Sequence, residues 1–294
     1  MLKKVEFILE QKWKRLTLGE AAEVKKAYRI YGLETDVRFC KDPAGFLQDF
    51  VPGYETLTLV DSDRLVRALQ EKGVKAAGYR HGGNSGESLF GVPYVLEEPA
   101  CVDADSLQKI WQRLRGLPWQ ILATERCIVR EFVTEDLDAM TSLYDKEACR
   151  WLEPPSPDRE KERQIMQAYI DRIYGMYGYG QWAVVSRDTG ALIGRMGFSF
   201  PAQGFREAFL LQNGRDLRLD ATLGYLLGSP YRGKGLAREV CSALVEYGFD
   251  MLGFSLITIE IDPRNKASAA LAEALGFTKA GRLGEQAVYY KEGK

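Results

Sequence analysis

A single histidine, His81, stands among 294 residues. That scarcity disfavours zinc sites built on several histidines and most hydrolases that depend on a histidine base. A cysteine-only or carboxylate site stays open. The five cysteines, Cys40, Cys101, Cys127, Cys149 and Cys241, are odd in number and never form a C-x-x-C pair. They read as buried thiols of a reducing compartment, and no metal site is expected. No apolar run approaches the roughly 20 residues of a membrane helix. The start, Met-Leu-Lys-Lys-Val-Glu-Phe, has no apolar signal segment. Net charge is −1, evenly spread over both halves, so no long-range field favours nucleic acid or an anionic membrane. The expectation is a cytoplasmic protein with neither as a partner.

What is present is ordinary globular composition, 46% apolar and 28% charged, in a chain long enough for two cores. Leu117-Pro118-Trp119 marks a boundary, which predicts domains at 1–122 and 123–294. In the first, residues 7–33 read as helical. Thr56–Val60, Val74–Tyr79 and Tyr94–Leu96 read as strands, with helices through Leu65 and Leu69 and through Leu107, Ile110, Trp111 and Leu114. Strand–helix–strand order with short loops implies a small parallel α/β unit. His81 stands near Ser85, but no G-x-S-x-G elbow accompanies them, so it reads as a solvated loop histidine. Asp61, Ser62 and Asp63 read as caps of the following helix.

The most informative stretch is Leu223-Gly-Tyr-Leu-Leu-Gly-Ser-Pro-Tyr-Arg-Gly-Lys-Gly-Leu-Ala237. An apolar strand enters a glycine-rich loop that opens an amphipathic helix. Loop amides at a helix N-terminus bind phosphate, and the glycines remove the Cβ atoms that would block approach. Gly228 to Gly235 nearly spells a P-loop, but Gly235 stands where magnesium needs Ser or Thr. The apolar face Leu236, Val240, Leu244, Tyr247 and Met251 predicts the helix, and Gly253 its end. Ser255–Ile261 reads as a strand and 266–275 as a helix, followed by Gly276-Phe277.

Arg232-Gly-Lys-Gly-Leu-Ala237 resembles the pyrophosphate loop Arg/Gln-x-x-Gly-x-Gly/Ala of the GNAT acetyltransferases. Asn265, Ser268, Leu271, Gly276 and Phe277 resemble the second signature of that family. Thr124-Glu-Arg-Cys-Ile-Val-Arg-Glu-Phe132 is similar to the opening of the branch that holds the ribosomal-protein N-terminal acetyltransferases. The resemblance covers roughly residues 125–294. It implies a mixed, mostly antiparallel sheet flanked by helices. The apolar strand that ends on Asp61, with the helix and strand after it, resembles a truncated, degenerate haloacid-dehalogenase-like module without a separate nucleophile. The expected fold class is therefore α/β (α+β), with the GNAT sheet preceded by a small Rossmann-like three-layer domain.

The resemblance implies acetyl-CoA as co-substrate and transfer of its acetyl group to a primary amine, on a small molecule or a protein N-terminus. A homodimer is left open. Backbone of Leu226, Leu227 and Gly228 would pair with the pantetheine arm. Amides of Gly233, Lys234, Gly235, Leu236 and Ala237 would take the pyrophosphate, with charge from Arg232 and Lys234. Asn265 would hold the pantetheine arm or cap its helix. Many relatives place an acidic Tyr seven residues after that Asn, where Ala272 stands, and Ser268 takes the role in this branch. The usual basic Glu is replaced by Thr222, and Asp220 lies on the same side of the strand. Those two losses keep a second reading open, a CoA-binding regulatory module with reduced catalysis. Trp151, Tyr174, Tyr177, Tyr179 and Trp182 crowd the expected acceptor side.

Overall fold

The computed structural model describes residues 1–201 and 221–293. The polar insertion read at 202–220, with Asp220, lies outside the described residues. The chain divides into two compact units, Met1–Trp119 and Gln120–Lys294.

The first unit holds strands β1 (Lys4–Glu10), β2 (Glu34–Cys40), β3 (Thr56–Val60), β4 (Ala77–Tyr79) and β5 (Val95–Leu96). They pair in parallel in the order β2-β1-β3-β4-β5. Helices α1 (Lys14–Ile30), α2 (Pro43–Leu47), α3 (Asp63–Glu71) and α4 (Ala104–Leu114) supply the outer layers. Alternate strand residues feed two cores. Phe7, Leu9, Leu57 and Leu59 pack with Val24, Tyr28 and Trp111, while Ile8 and Val60 pack with Leu47, Leu65 and Leu69. A sheet buried on both faces needs nearly unbroken apolar runs.

Val5–Leu9 is such a run but for Glu6, and from Phe7 to Glu10 it is strand where the helix read at 7–33 was expected, while α1 bears out the rest. β2 was also not expected, so five strands replace three. The parallel sheet between helix layers is the three-layer arrangement expected of this part.

His81 is buried, not solvated, at 6% exposure. Its Nε2 lies 3.3 Å from Asp61 Oδ2, and its Nδ1 accepts the Gly83 N–H. Asp61 accepts the Glu10 N–H, so it ties β3 to β1 and does not cap α3. Ser62 alone of the three caps that helix, accepting from Leu65 N–H at 3.2 Å. Asp63 accepts from Ser88 and Leu89. Burial pushes the Asp61 carboxyl up to about 7 and the His81 imidazole down.

The second unit holds β6 (Gln120–Ala123), β7 (Cys127–Arg130), β8 (Gln181–Ser186), β9 (Leu192–Ser199), β10 (Ala221–Leu227), β11 (Leu256–Ile261), β12 (Thr278–Leu283) and β13 (Gln286–Glu292). The sheet order is β12-β13-β11-β10-β9-β8-β7-β6. Among the described residues of this sheet only β10 and β11 pair in parallel, so it is mixed and mostly antiparallel, as expected. Its longer helices among the described residues are α5 (Leu137–Thr141), α6 (Arg159–Tyr169), α7 (Leu236–Asp250) and α8 (Lys266–Ala274). Past α6 the helix continues through a π turn at Ile170–Tyr174.

α7 buries Val240, Cys241, Leu244 and Val245 against Met196, Phe198, Leu223 and Ile257. Met251 leaves this face and is exposed, since the helix ends one residue before it. Cys40, Cys127 and Cys241 are buried as expected, but Cys101 and Cys149 are exposed.

Candidate active site

The site begins where two strands part. Among the described residues β10 and β11 pair only at Ala221–Ile257 and Thr222–Thr258. Beyond that rung β10 stays with β9 to Leu227, and β11 stays with β13 to Ile261. Each strand is held by its outer neighbour, so a cleft opens between them. In this antiparallel register the N–H groups of Gly224, Leu226 and Gly228 point to β9, as the Gly228 N–H on Ile193 O shows. Those of Tyr225 and Leu227 therefore face the cleft. Of the three backbone positions expected to meet a cofactor arm, only Leu227 presents an unpaired strand-edge amide.

The cleft leads to the glycine loop. Gly233 and Gly235 have φ of +72° and +79°, conformations L side chains rarely adopt. Asp42, Ser62, Asp103, Asp158 and Asn265 cap α2, α3, α4, α6 and α8 with their side chains. α7 starts on Gly235 with no capping side chain. Its first amides keep their donors for a ligand, and the helix dipole favours an anion there.

One arginine holds the loop, and a second ties the end of β10 to the turn at Asp145 and Glu147. Arg126, from the turn between β6 and β7, donates through Nη1 to the Lys234 carbonyl and through Nε to Glu239 in the first turn of α7. Arg232 donates to the Leu227 carbonyl and pairs with Asp145 and Glu147.

Cleft and loop share a cavity of about 420 Å³, a size that suits a small-molecule ligand. Leu226, Leu227, Arg232, Gly233, Gly235, Leu236, Ala237, Asn265 and Ser268 all line it, although they come from three separate elements. Gly228 and Lys234 do not line it.

Asn265 caps α8, with Oδ1 accepting the Ser268 N–H at 3.1 Å. Ser268 is half-buried, and its Oγ carries no hydrogen bond among the described residues. Its carbonyl accepts the Tyr225 hydroxyl at 3.2 Å. Burial holds the Tyr225 phenol far above its ordinary value, so it stays protonated. Ala272 is core, which agrees with the absence of a tyrosine acid at that position.

Glu260 was missed by the sequence reading. It is half-buried on β11, lines the cavity and makes no hydrogen bond or ion pair among the described residues. Thr258 and Glu260 share one face of β11. The available signal was one charge in the otherwise apolar strand Leu-Ile-Thr-Ile-Glu-Ile. Thr222, at the position where relatives often carry the base, bonds to Thr258 Oγ1 instead. Asp262 also lines the cavity, and Arg264 beside it holds its carboxyl down to about 2.

Of the aromatics expected at the acceptor side, only Trp151 lines the cavity. Tyr174 and Trp182 are core. Tyr177 and Tyr179 cluster with Phe200, and Tyr179 also meets Phe254.

Residues 126–278 match the family model of the GNAT acetyltransferase domain. Over 167 residues the chain is 30% identical to the uncharacterized N-acetyltransferase p20 of Bacillus licheniformis, a match that spans 56% of this chain and 85% of that protein. The uncharacterized N-acetyltransferase YoaA of Bacillus subtilis is 30% identical over 164 residues, 55% of this chain and 85% of its own. The ribosomal protein uS5-alanine N-acetyltransferase of Escherichia coli is 28% identical over 173 residues, 56% of this chain and 82% of its own.

Proposed function

Because this chain belongs to the GNAT acetyltransferase family, we propose that it moves the acetyl group of acetyl-CoA to a primary amine by direct attack. The family membership makes it an acyltransferase. The observation that carries the finer reading is one cavity that joins the open edge of β10 to the uncapped N-terminus of α7.

The residues fit the co-substrate. Unpaired edge amides suit an amide-bearing pantetheine arm, in the manner of an added strand. The α7 amides and the two left-handed glycines suit a pyrophosphate. The Tyr225 and Leu227 N–H groups are the donors for the thioester oxygen as it gains charge.

Glu260 is the carboxylate placed to take a proton from the incoming ammonium. Asp220 lies outside the described residues and has no geometry to weigh. The amine nitrogen then bonds to the thioester carbon, and the carbon–sulfur bond breaks. Ser268 Oγ–H gives its proton to the departing thiolate and takes back the one that the nitrogen loses as the amide forms. Much of the rate comes from holding amine and thioester together.

The acceptor class we propose is a protein N-terminus or a small amine. The name of the uS5-alanine relative supports the first. Of the carboxylates lining the cavity, Glu147 pairs with Arg232 and Asp262 with Arg264, which leaves Glu260 to favour a cationic group.

The test is calorimetric titration with acetyl-CoA, followed by thiol release with an amine panel that includes a peptide beginning with alanine. Binding on the order of micromolar is expected. No binding at millimolar acetyl-CoA would refute the proposal. Binding without turnover on any amine would favour the regulatory reading.

For the first unit we propose a degenerate haloacid-dehalogenase-like module without phosphatase activity. Neither β1 nor β2 ends on an Asp-x-Asp; they end on Glu10 and Cys40. Asp61-Ser62-Asp63 after β3 has the letters, but the Asp61 carboxyl is buried on Glu10 N–H and His81, and Asp63 accepts from Ser88 and Leu89. Magnesium-dependent phosphatase activity that is lost in Asp61→Asn would overturn this.

A further inference from the structure

Arg232 opens the glycine motif, where family resemblance sets it among the phosphate-binding residues. Its guanidinium points elsewhere. Nε donates to the Leu227 carbonyl at 2.9 Å. Nη1 lies 2.9 Å from Glu147 Oε2 and 3.0 Å from Asp145 Oδ2, and Nη2 donates to Asp145 Oδ1 at 3.2 Å. A phosphate that took this side chain would have to displace two carboxylates.

The acids belong to a built turn. Asp145 Oδ1 also accepts the N–H groups of Glu147 and Ala148. The turn runs into the short helical turn Ala148–Arg150, and Ala148, Trp151 and Leu152 line the cavity. Ala148 and Leu143 pack on Leu226. Leu223 and Leu227 pack instead with α7 residues, on the opposite face of the sheet. The 145–152 segment is thus the cavity wall on the side away from the cofactor helix.

The geometry points to Arg232 as a positioning residue that fastens the 145–152 acceptor wall to the end of β10, and not as a phosphate ligand. This rests on the transferase reading. One forked side chain couples the last cleft-facing residue of β10 to the wall that an amine would meet. A guanidinium suits this task, since its planar donors reach a carbonyl and two carboxylates together.

The test uses the full chain and the variants Arg232→Gln, Arg232→Lys and Asp145→Asn/Glu147→Gln. Amide exchange of 145–152 is followed without ligand. It should quicken by about tenfold in Arg232→Gln and in the acid pair variant, with partial recovery in Arg232→Lys. Calorimetry should give an acetyl-CoA affinity within about twofold of wild type for Arg232→Gln. With the alanine peptide, its KM should rise by about tenfold while the KM for acetyl-CoA holds.

Unchanged exchange at 145–152 overturns the proposal, as does an acetyl-CoA affinity that falls tenfold with the peptide KM unmoved. If Arg232→Gln does not fold, the acid pair variant carries the same three readings. Failure of the wild type to bind acetyl-CoA would strike the transferase reading alone, because the exchange arm needs no ligand.

Discussion

Thr222 Oγ1 and Thr258 Oγ1 lie 2.9 Å apart, on the last rung that β10 and β11 share. Thr258 Oγ1 also donates to the Ala221 carbonyl at 3.4 Å. The pair marks the point where the sheet opens. Glu260 stands two residues along β11, on the same face as Thr258.

Replacing Thr258 by Val should leave Thr222 Oγ1 without its partner and cost about 1–2 kcal/mol. The double variant Thr222→Val/Thr258→Val should recover part of that loss, since two apolar groups of like shape leave no orphan hydroxyl. Urea unfolding of the three variants gives the coupling. Strict additivity would show that the hydroxyl contact has no energetic role.

Glu260→Gln should lower kcat/KM by about 10²–10³-fold, the range for loss of a general base. The acetyl-CoA affinity should stay within about twofold, because the carboxylate stands on β11 and not on the glycine loop. An unchanged kcat/KM would move the base role elsewhere.

Gly235→Val puts a β-branched side chain at φ +79°, a strain of roughly 1–2 kcal/mol. It also crowds the amides that open α7. Acetyl-CoA binding should weaken by at least about tenfold in calorimetry. Full affinity in a folded variant would remove the amide cradle from the site.

Asp61 gives the first unit a pH dependence of known sign. Burial raises its folded value to about 7, against an unfolded value of about 3.9. The folded unit holds this proton longer. Its contribution to stability is therefore full below pH about 4 and is lost as pH rises through about 7. Buried His81, shifted down, works in the opposite sense as pH falls below its unfolded value. Comparing wild type with Asp61→Asn isolates the carboxyl. From pH 4.5 to pH 8, wild type should lose on the order of 2 kcal/mol relative to the variant. Parallel stability curves in urea would contradict this.

The local devices of the second unit were determined by sequence alone. The glycine loop opens α7, Asn265 takes the capping role that was one of its two readings, and the apolar periodicity from Leu236 faces a core except at Met251. Each follows from one residue or one short window, because backbone sterics and helical period act over a few residues. The same locality failed at Val5–Leu9, where a run buried on both sheet faces looks alike as strand or helix until its neighbours are known.

Partnership across the chain was decided by the tertiary structure. Arg232 meets Glu147 from 85 residues away, and Arg126 meets Glu239 from 113. Strand order alone determines that Tyr225 and Leu227, and not Leu226 or Gly228, turn their amides to the cleft. Glu260 becomes a site residue only because β11 leaves β10 after Thr258. Hydrogen bonds and ion pairs act over a few ångströms, and only folding brings such groups within that reach.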